Sequence, residues 1–164
     1  MPPNPIPGLL LVMLTLLPGT SGAAPQSVPP QAGLLNDYAH IIDSSSAFEI
    51  MRMTETLRRD TQAELVVVTL RGIGNQDAND FAERIRTEWQ LGGSDGENHP
   101  VVVVLYALQA GGFGISYNNV ARPYLPHEAL DEAFDRRARP ELEAGRAGSG
   151  LRLLTRALVQ LLSV

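Results

Sequence analysis

The 164-residue chain contains no cysteine and no lysine. Without cysteine it can form no disulfide and carry no thiol-linked lipid, so its stability has to come from packing. Without lysine, Schiff-base chemistry and lysine-containing phosphate loops are excluded. The 18 acidic residues outnumber the 13 arginines, which gives a formal net charge of −5. Since nucleic-acid binders concentrate basic residues on one face, we expect no nucleic-acid partner.

The apolar run at the start of the chain is too short to cross a membrane. Residues 9–17 are apolar apart from Thr15, which is about half of the ~20 residues that a spanning helix needs. Pro18-Gly19 and four small residues follow, as in a secretory signal cleaved after Ala23. No basic residue precedes the run, which leaves an uncleaved anchor or a misassigned start as alternatives. We predict a signal peptide over residues 1–23, a periplasmic or secreted protein, and no transmembrane span in the mature chain.

Two short apolar runs define the centre of the predicted fold. Residues 64–70 (ELVVVTL) and 101–108 (VVVVLYAL) are rich in β-branched side chains and bounded by polar or glycine-rich turns. This pattern indicates strands that are buried on both faces. Between them, apolar residues from Ala78 to Trp89 recur at helical spacing, and such a helix supplies the crossover that parallel pairing requires. A third strand is expected over 114–117, antiparallel to the second.

Three further helices are predicted around this unit. The first follows a capping box formed by Ser46 and Glu49. The next begins at Pro126 and ends at Pro140. The last is capped by Ser149 and carries a stripe of leucines.

These elements predict an α/β fold, a three-layer α/β/α sandwich with a small mixed sheet of about three to four strands. Residues 24–33 are interpreted as a Pro-rich tether, and residues 34–164 as one domain. Residues 35–39 are expected to form an ordered loop where that domain begins.

Four catalytic or metal-binding motifs are nearly complete, but none assigns a catalytic residue. The G-x-S-x-G match at 92–96 follows a helix, whereas a nucleophile elbow follows a strand. His127-Glu128 begins an H-E-x-x-H motif in which Asp131 replaces the second histidine. Gly72-x-Gly74 lacks the third glycine of a dinucleotide loop. The calcium-like loop from Asn75 lacks both its glycine and its closing glutamate, and helix capping explains it better.

Three carboxylates, Asp37, Asp95 and Glu97, are candidate ligands for a hard cation such as calcium or magnesium. Loops that follow parallel strands share the sheet edge at which α/β proteins bind ligands. Asp95 and Glu97, however, precede a strand and therefore belong to the opposite edge. This placement argues against a single site built from all three.

Several segments resemble the TPM domain family in their order and spacing, over roughly residues 33–162. They are Leu35-Asn36-Asp37-Tyr38-Ala39, residues 61–69 (TQAELVVVT), Asp80-Phe81-Ala82, Trp89 with Gly92, Leu125-Pro126, Pro140 with Leu142 and Gly145, and Gly150-Leu151. That family includes exported or membrane-anchored bacterial proteins and a thylakoid-lumen protein of photosystem repair. The resemblance implies an α/β sandwich outside the cytoplasm. It also implies either weak acid phosphatase activity with a divalent metal or an accessory role in membrane-protein assembly or turnover.

The chain departs from the family pattern where a ligand site is expected. The usual Asp-Asn-Gly before the second buried strand is Asn98-His99-Pro100, and Gly-Tyr-Gly-Leu-Glu after the third strand is SYNNV at 116–120. The usual Asp after Leu-Pro is His127. Among the acidic positions, the resemblance transfers only Asp37, as a metal ligand. Phosphoryl transfer depends on metal-borne charge, and a single matching carboxylate holds a metal ion poorly. We therefore expect no cofactor; the alternative is a divalent cation held by Asp37.

We therefore expect an exported TPM-like domain that acts without catalysis, by contact with an envelope or membrane protein. Its candidate contact surface is residues 117–126, because tyrosine and arginine are enriched at interfaces. The candidate residues are Tyr117, Asn118, Asn119, Arg122 and Tyr124, together with His99. Two alternatives stay open: the segment is an ordinary ordered loop, or the protein is a weak divalent-metal-dependent acid phosphatase.

Overall fold

The computed structural model describes residues 26–109 and 112–164. The predicted signal peptide and part of the turn after the second buried strand lie outside these ranges. Four strands form one mixed sheet in the order β1-β2-β3-β4. They are β1 (Leu35–Asp37), β2 (Glu64–Leu70), β3 (Val101–Ala107) and β4 (Gly112–Tyr117). Strands β1, β2 and β3 run parallel, and β4 is antiparallel to β3.

The two apolar runs form the central strands, as predicted. Their register pairs Glu64 with Val101 and continues to Leu70 with Ala107. All of β3 is buried, and so is all of β2 except Glu64. Such strands need cover on both faces of the sheet, which explains their continuous apolar character.

Helices cover both faces and confirm the three-layer α/β/α sandwich. Helix α2 (Ala78–Glu88) makes the crossover between β2 and β3 and packs on one face. Helices α1 (Ser44–Thr61) and α5 (Ala147–Leu162) pack on the other. Successive residues of β2 therefore enter different cores: Val66 contacts the α2 side and Val67 the α1/α5 side. This alternation follows from the two-residue period of a strand.

The capping box predicted at the start of α1 is wrong. The helix begins at Ser44, and its N-cap is Asp43, whose carboxylate accepts a hydrogen bond from the Ser46 amide at 2.9 Å. That backbone hydrogen bond holds the pKa of the Asp43 carboxyl below its usual value. Glu49 instead reaches α5, where it pairs with Arg152 at 3.3 Å and Arg156 at 3.2 Å. Glu49, which the local sequence pattern assigned to the helix cap, therefore forms ion pairs with two arginines that are distant in the sequence.

The loop predicted at 35–39 is in part a strand. Residues Leu35–Asp37 form β1, which pairs in parallel with β2. Three residues are too few to show a strand period in the sequence. Their conformation is set by the hydrogen bonds that β2 offers at its edge.

The chain between β4 and α5 is more helical than predicted. A 3₁₀ turn, Arg122–Tyr124, precedes α3 (His127–Asp131), which continues through a π-helical segment, Glu132–Ala138, into α4 (Arg139–Glu143). Pro140, expected to end this region, instead lies within α4, directly after the Arg139 amide that donates to the Phe134 carbonyl with π-helical spacing.

Helix α5 begins at Ala147, so Ser149 does not cap it. The residue at its N-cap position is Arg146, which makes no side-chain capping hydrogen bond. None of the helices in the described ranges is long and apolar enough to cross a membrane.

The described part of the Pro-rich segment lies against the α2 layer. The Trp89 indole donates to the Pro29 carbonyl at 2.8 Å, and the Tyr38 hydroxyl donates to the Pro30 carbonyl. Val28 packs against the apolar cluster on the same face. The domain boundary at residue 34 stays a prediction.

A glycine allows α2 and β4 to approach each other closely. A Cβ atom at Gly114 would overlap the carbonyl oxygen of Ala78 in the first turn of α2. Beside it, the Ile115 amide donates to the Asn79 side chain at 3.0 Å. This contact satisfies an N–H group of the edge strand, which would otherwise be open to pairing with another chain.

Replacing Gly114 with alanine should therefore force α2 away from β4. We expect a loss of about 2 kcal/mol or more in the free energy of unfolding, measured by urea denaturation. Gly33→Ala is the matched control, since nothing lies within 4 Å of a Cβ atom at that position. It should change stability by roughly 0.5 kcal/mol or less. Equal effects of the two substitutions would contradict the close approach.

Candidate functional site

The sheet topology separates the predicted site residues between two edges. We call the end where β2 and β3 begin and β4 ends the amino edge. Asp37 ends β1 and so lies at the opposite, carboxyl edge. Asp95 and Glu97 precede β3 and belong to the amino edge, as expected. The three carboxylates therefore do not converge on one site.

The Asp37 carboxylate holds the turn that follows β1. Its Oδ1 accepts from the Ile41 amide at 3.2 Å and from the Thr69 hydroxyl, and its Oδ2 accepts from the Ile42 amide at 3.0 Å. Among residues 26–109 and 112–164, no group of three or more His, Asp or Glu side chains is placed to share a metal ion. Both oxygens of the Asp37 carboxylate are thus engaged by N–H or O–H donors of the protein. Metal binding through Asp37 alone stays a prediction.

At the amino edge, the buried side-chain amide of Asn118 hydrogen-bonds to the loop before β3, to the start of β3 and to the segment after β4. Asn118 is only 2% exposed. Its Oδ1 accepts from the amides of Val101 at 3.1 Å and Ala121 at 3.0 Å. Its Nδ2 donates to the carbonyls of Gly96 at 2.8 Å and His99 at 2.7 Å. Asn118 thus uses its full hydrogen-bonding capacity inside the protein and lies beneath the surface that was predicted to include it.

Glu97 holds the next residues in place. Its Oε1 accepts from the amide and side chain of Asn119 at 3.4 and 3.1 Å, and its Oε2 accepts from the Val120 amide at 3.3 Å. Arg122 donates to the Asn119 side chain at 3.3 Å and lies over the Tyr117 ring, 5.9 Å from its centroid. The predicted contact residues are consequently ordered before any partner arrives.

These residues line a polar cleft of about 290 Å³. Its lining is Glu83, Arg86, Glu97, Ser116, Tyr117, Asn118, Asn119 and Arg122. Arg86 was not predicted as a site residue: it lies on α2, where charged side chains usually face solvent. It donates through Nε to the Ser116 hydroxyl at 3.1 Å. In the sequence, Arg86 directly follows Ile85, which belongs to the predicted apolar stripe of that helix, so Arg86 borders the face expected to be buried.

An apolar groove of about 390 Å³ lies on the other side of Tyr117. Its lining is Asn79, Phe113, Ile115, Tyr117, His127, Leu130, Asp131, Phe134 and Leu154. The π-helical segment carries Phe134, whose ring stacks on Phe113 with centroids 4.0 Å apart. Since π-helical turns are frequent at functional sites, this local geometry makes the groove a candidate binding site.

Two predicted residues lie outside both depressions. Tyr124 is exposed on the 3₁₀ turn after the cleft segment. His99 directs its Nε2 toward Glu64 at the start of β2, with 3.0 Å between Nε2 and Oε2. Within the described residues this nitrogen makes no hydrogen bond, and its contact with Glu64 is an ion pair only when the imidazole is protonated.

The near-complete motifs have ordinary structural roles. The G-x-S-x-G match is a loop after α2, and its three glycines, Gly92, Gly93 and Gly96, have positive φ angles. Asp77, in the calcium-like loop, caps α2 by accepting from the amides of Asn79 and Asp80. Helix geometry therefore explains both patterns.

The four-stranded mixed sheet between helices, with a polar cleft at its amino edge, defines an α/β sandwich domain. The profile of the TPM domain matches residues 35–161. The chain belongs to the TPM domain family.

Several solved structures resemble the chain. The N-terminal domain of a protein from P. gingivalis is 22% identical with a TM-score of 0.72, over 79% of this chain and 82% of that one. The N-terminal domain of the cg2496 protein from Corynebacterium glutamicum is 16% identical with a TM-score of 0.60, over 82% and 83%. The BA42 protein from Bizionia argentinensis is 13% identical with a TM-score of 0.61, over 76% and 83%. At these identities the likeness establishes the fold. The comparison with curated proteins gives no match.

Asn118→Ala should destabilise the protein by about 2–4 kcal/mol, because it leaves buried backbone donors and acceptors without partners. Urea denaturation measures the loss. Asn119→Ala is the matched control, since this neighbouring side chain is exposed and, among residues 26–109 and 112–164, bonds only to Glu97 and Arg122. We expect its effect to stay below about 1 kcal/mol. A mild effect at Asn118 would show that the amino edge does not depend on this amide.

Proposed function

We propose that this TPM domain is an exported, non-catalytic interaction module that contacts an envelope or membrane protein. Its contact surface would be the polar cleft, the apolar groove and the exposed Tyr124, which we call the amino-edge surface. One observation carries the proposal: Tyr117 lines both the cleft and the groove. An apolar depression flanked by hydrogen-bonding groups is the usual anatomy of a protein interface.

The order of the surface also supports a binding role. Asn118 and Glu97 hold residues 118–121 through backbone hydrogen bonds in the free protein. Because these residues are already ordered, a partner would lose less conformational entropy on binding them than on binding a flexible loop. The half-buried aromatic rings of the groove offer apolar area for the centre of such an interface.

The chemistry of the amino edge favours binding over phosphoryl transfer. The family pattern places acids in three segments here, but this chain has Asn98-His99-Pro100, Val120 and His127. Glu97 is engaged by backbone and amide N–H groups. A metal-assisted phosphatase needs metal-borne charge beside the phosphoryl group.

Export is part of the proposal and is supported by the signal-like pattern of residues 1–23. A periplasmic or secreted location would bring the domain to envelope proteins and their assembly or turnover. Because the chain has no cysteine, no disulfide would stabilise the domain there, and its stability would come from non-covalent contacts, including the two apolar cores.

Photocrosslinking tests the surface directly. A photoreactive amino acid at position 124 should give a discrete, reproducible adduct with an envelope protein in intact cells. The matched control is position 108 at the carboxyl edge, because Leu108 is 44% exposed and Tyr124 is 38% exposed. The same adduct from both positions, or none from position 124, would contradict the proposed surface.

A phosphatase assay tests the absence of catalysis. The purified mature protein, offered a generic phosphomonoester across acid and neutral pH, should show no hydrolysis that EDTA abolishes. Asp37→Ala should behave like the unsubstituted protein in this assay. Metal-dependent turnover that is lost in Asp37→Ala would establish the phosphatase alternative instead.

A further inference from the structure

The polar cleft contains an arginine with unused hydrogen-bonding capacity. The Arg86 side chain is 15% exposed, and its Nε is bound to Ser116. The carboxylate of Glu83 lies 3.7 Å from its Nη2, close enough for an ion pair but beyond hydrogen-bonding distance. Within the described residues, no hydrogen bond uses Nη1 or Nη2. A partly desolvated guanidinium with free donors is matched by a planar carboxylate, which it binds in bidentate fashion.

Other donors surround the same space. Arg122 contributes a second guanidinium to the cleft, and this group donates one hydrogen bond to the Asn119 side chain. The two acids of the cleft are less available: Glu97 accepts from N–H groups through both oxygens, and the Glu83 side chain is 64% exposed to solvent. Within the described residues, the hydrogen-bonding groups of the cleft that lack partners are therefore mainly guanidinium N–H donors.

The free donors select the occupant. The two arginines and two glutamates of the cleft balance in formal charge, but the unpartnered groups are guanidinium N–H donors, so an anion that accepts hydrogen bonds fits better than a metal ion. Glu83 and Glu97 would repel a phosphate dianion more than a carboxylate monoanion, since Coulomb energy scales with charge. The adjoining apolar groove, shared through Tyr117, adds room for a bulky apolar side chain.

We infer that the amino-edge surface recognises an acidic peptide segment of its partner. A carboxylate of that segment binds Arg86 and Arg122 in the polar cleft, and a neighbouring bulky apolar side chain enters the apolar groove, where it packs against the stacked pair of Phe113 and Phe134. This inference rests on the proposed function and specifies the chemistry of the partner.

Peptide titration followed by amide NMR of the full mature chain tests this inference. The probes are a blocked peptide with one phenylalanine and two glutamates, the same peptide with glutamines, and inorganic phosphate. The glutamate peptide should shift amides of residues 113–122, with an affinity about tenfold or more above that of the glutamine peptide. Equal binding of the two peptides, or tighter binding of phosphate, would overturn the inference.

Variants assign the carboxylate to the cleft. Arg86→Gln should weaken the glutamate peptide about tenfold and leave the glutamine peptide unchanged. Arg86→Lys should be intermediate, because it keeps the charge and loses the bidentate geometry. Arg71→Gln, an exposed arginine beyond β2 at the carboxyl edge, is the matched control and should bind like the unsubstituted protein. Unchanged affinity in Arg86→Gln would refute the assignment.

Further measurements distinguish failure of this inference from failure of the proposed function. If Arg86→Gln does not fold, Arg122→Gln decides the assignment, because the Arg122 side chain is exposed and makes few contacts. A specific adduct from position 124 without preference for the glutamate peptide would overturn this inference and leave the proposed function intact. Metal-dependent phosphatase activity would overturn the proposed function itself.

Discussion

The burial of β2 and β3 on both faces is the constraint on which the rest of the structure depends. With every residue of β3 buried, the sheet needs a helical layer on each side, and the parallel pairing needs a helix between the two strands. Helices α2, α1 and α5 meet these needs. Polar chemistry is then confined to the sheet edges, where strands begin or end.

The amino-edge surface follows from this confinement. The backbone at the start of β3 is buried and requires hydrogen-bond partners, because an unsatisfied buried N–H group is costly. Asn118 supplies the acceptor for the Val101 amide and extends the same network to the carbonyls of Gly96 and His99. A requirement of folding therefore produces the ordered segment that the proposed function uses.

Membership of the TPM domain family establishes the architecture but does not by itself establish a chemistry, since one fold supports many kinds of site. In this chain the segments that surround the amino edge bring amide and guanidinium groups together. Arg86 comes from a helix and Arg122 from a 3₁₀ turn. Together with the apolar groove beside Tyr117, they give the edge the character of a binding surface.

The sequence alone determined the central strands, the crossover helix and the three-layer arrangement, because a continuous β-branched run and a 3.6-residue apolar period are local signals of burial. It also placed Glu97 at the edge where β3 begins, because a residue just before a strand lies at the amino end of that strand. Only the tertiary structure decided that Leu35–Asp37 pair as a strand, that Glu49 binds α5 instead of capping α1, and that Asn118 is buried. It likewise placed Arg86 in the cleft. In each of these cases the partner lies far along the chain or on another element, and a hydrogen bond between distant residues leaves no periodic trace in the sequence.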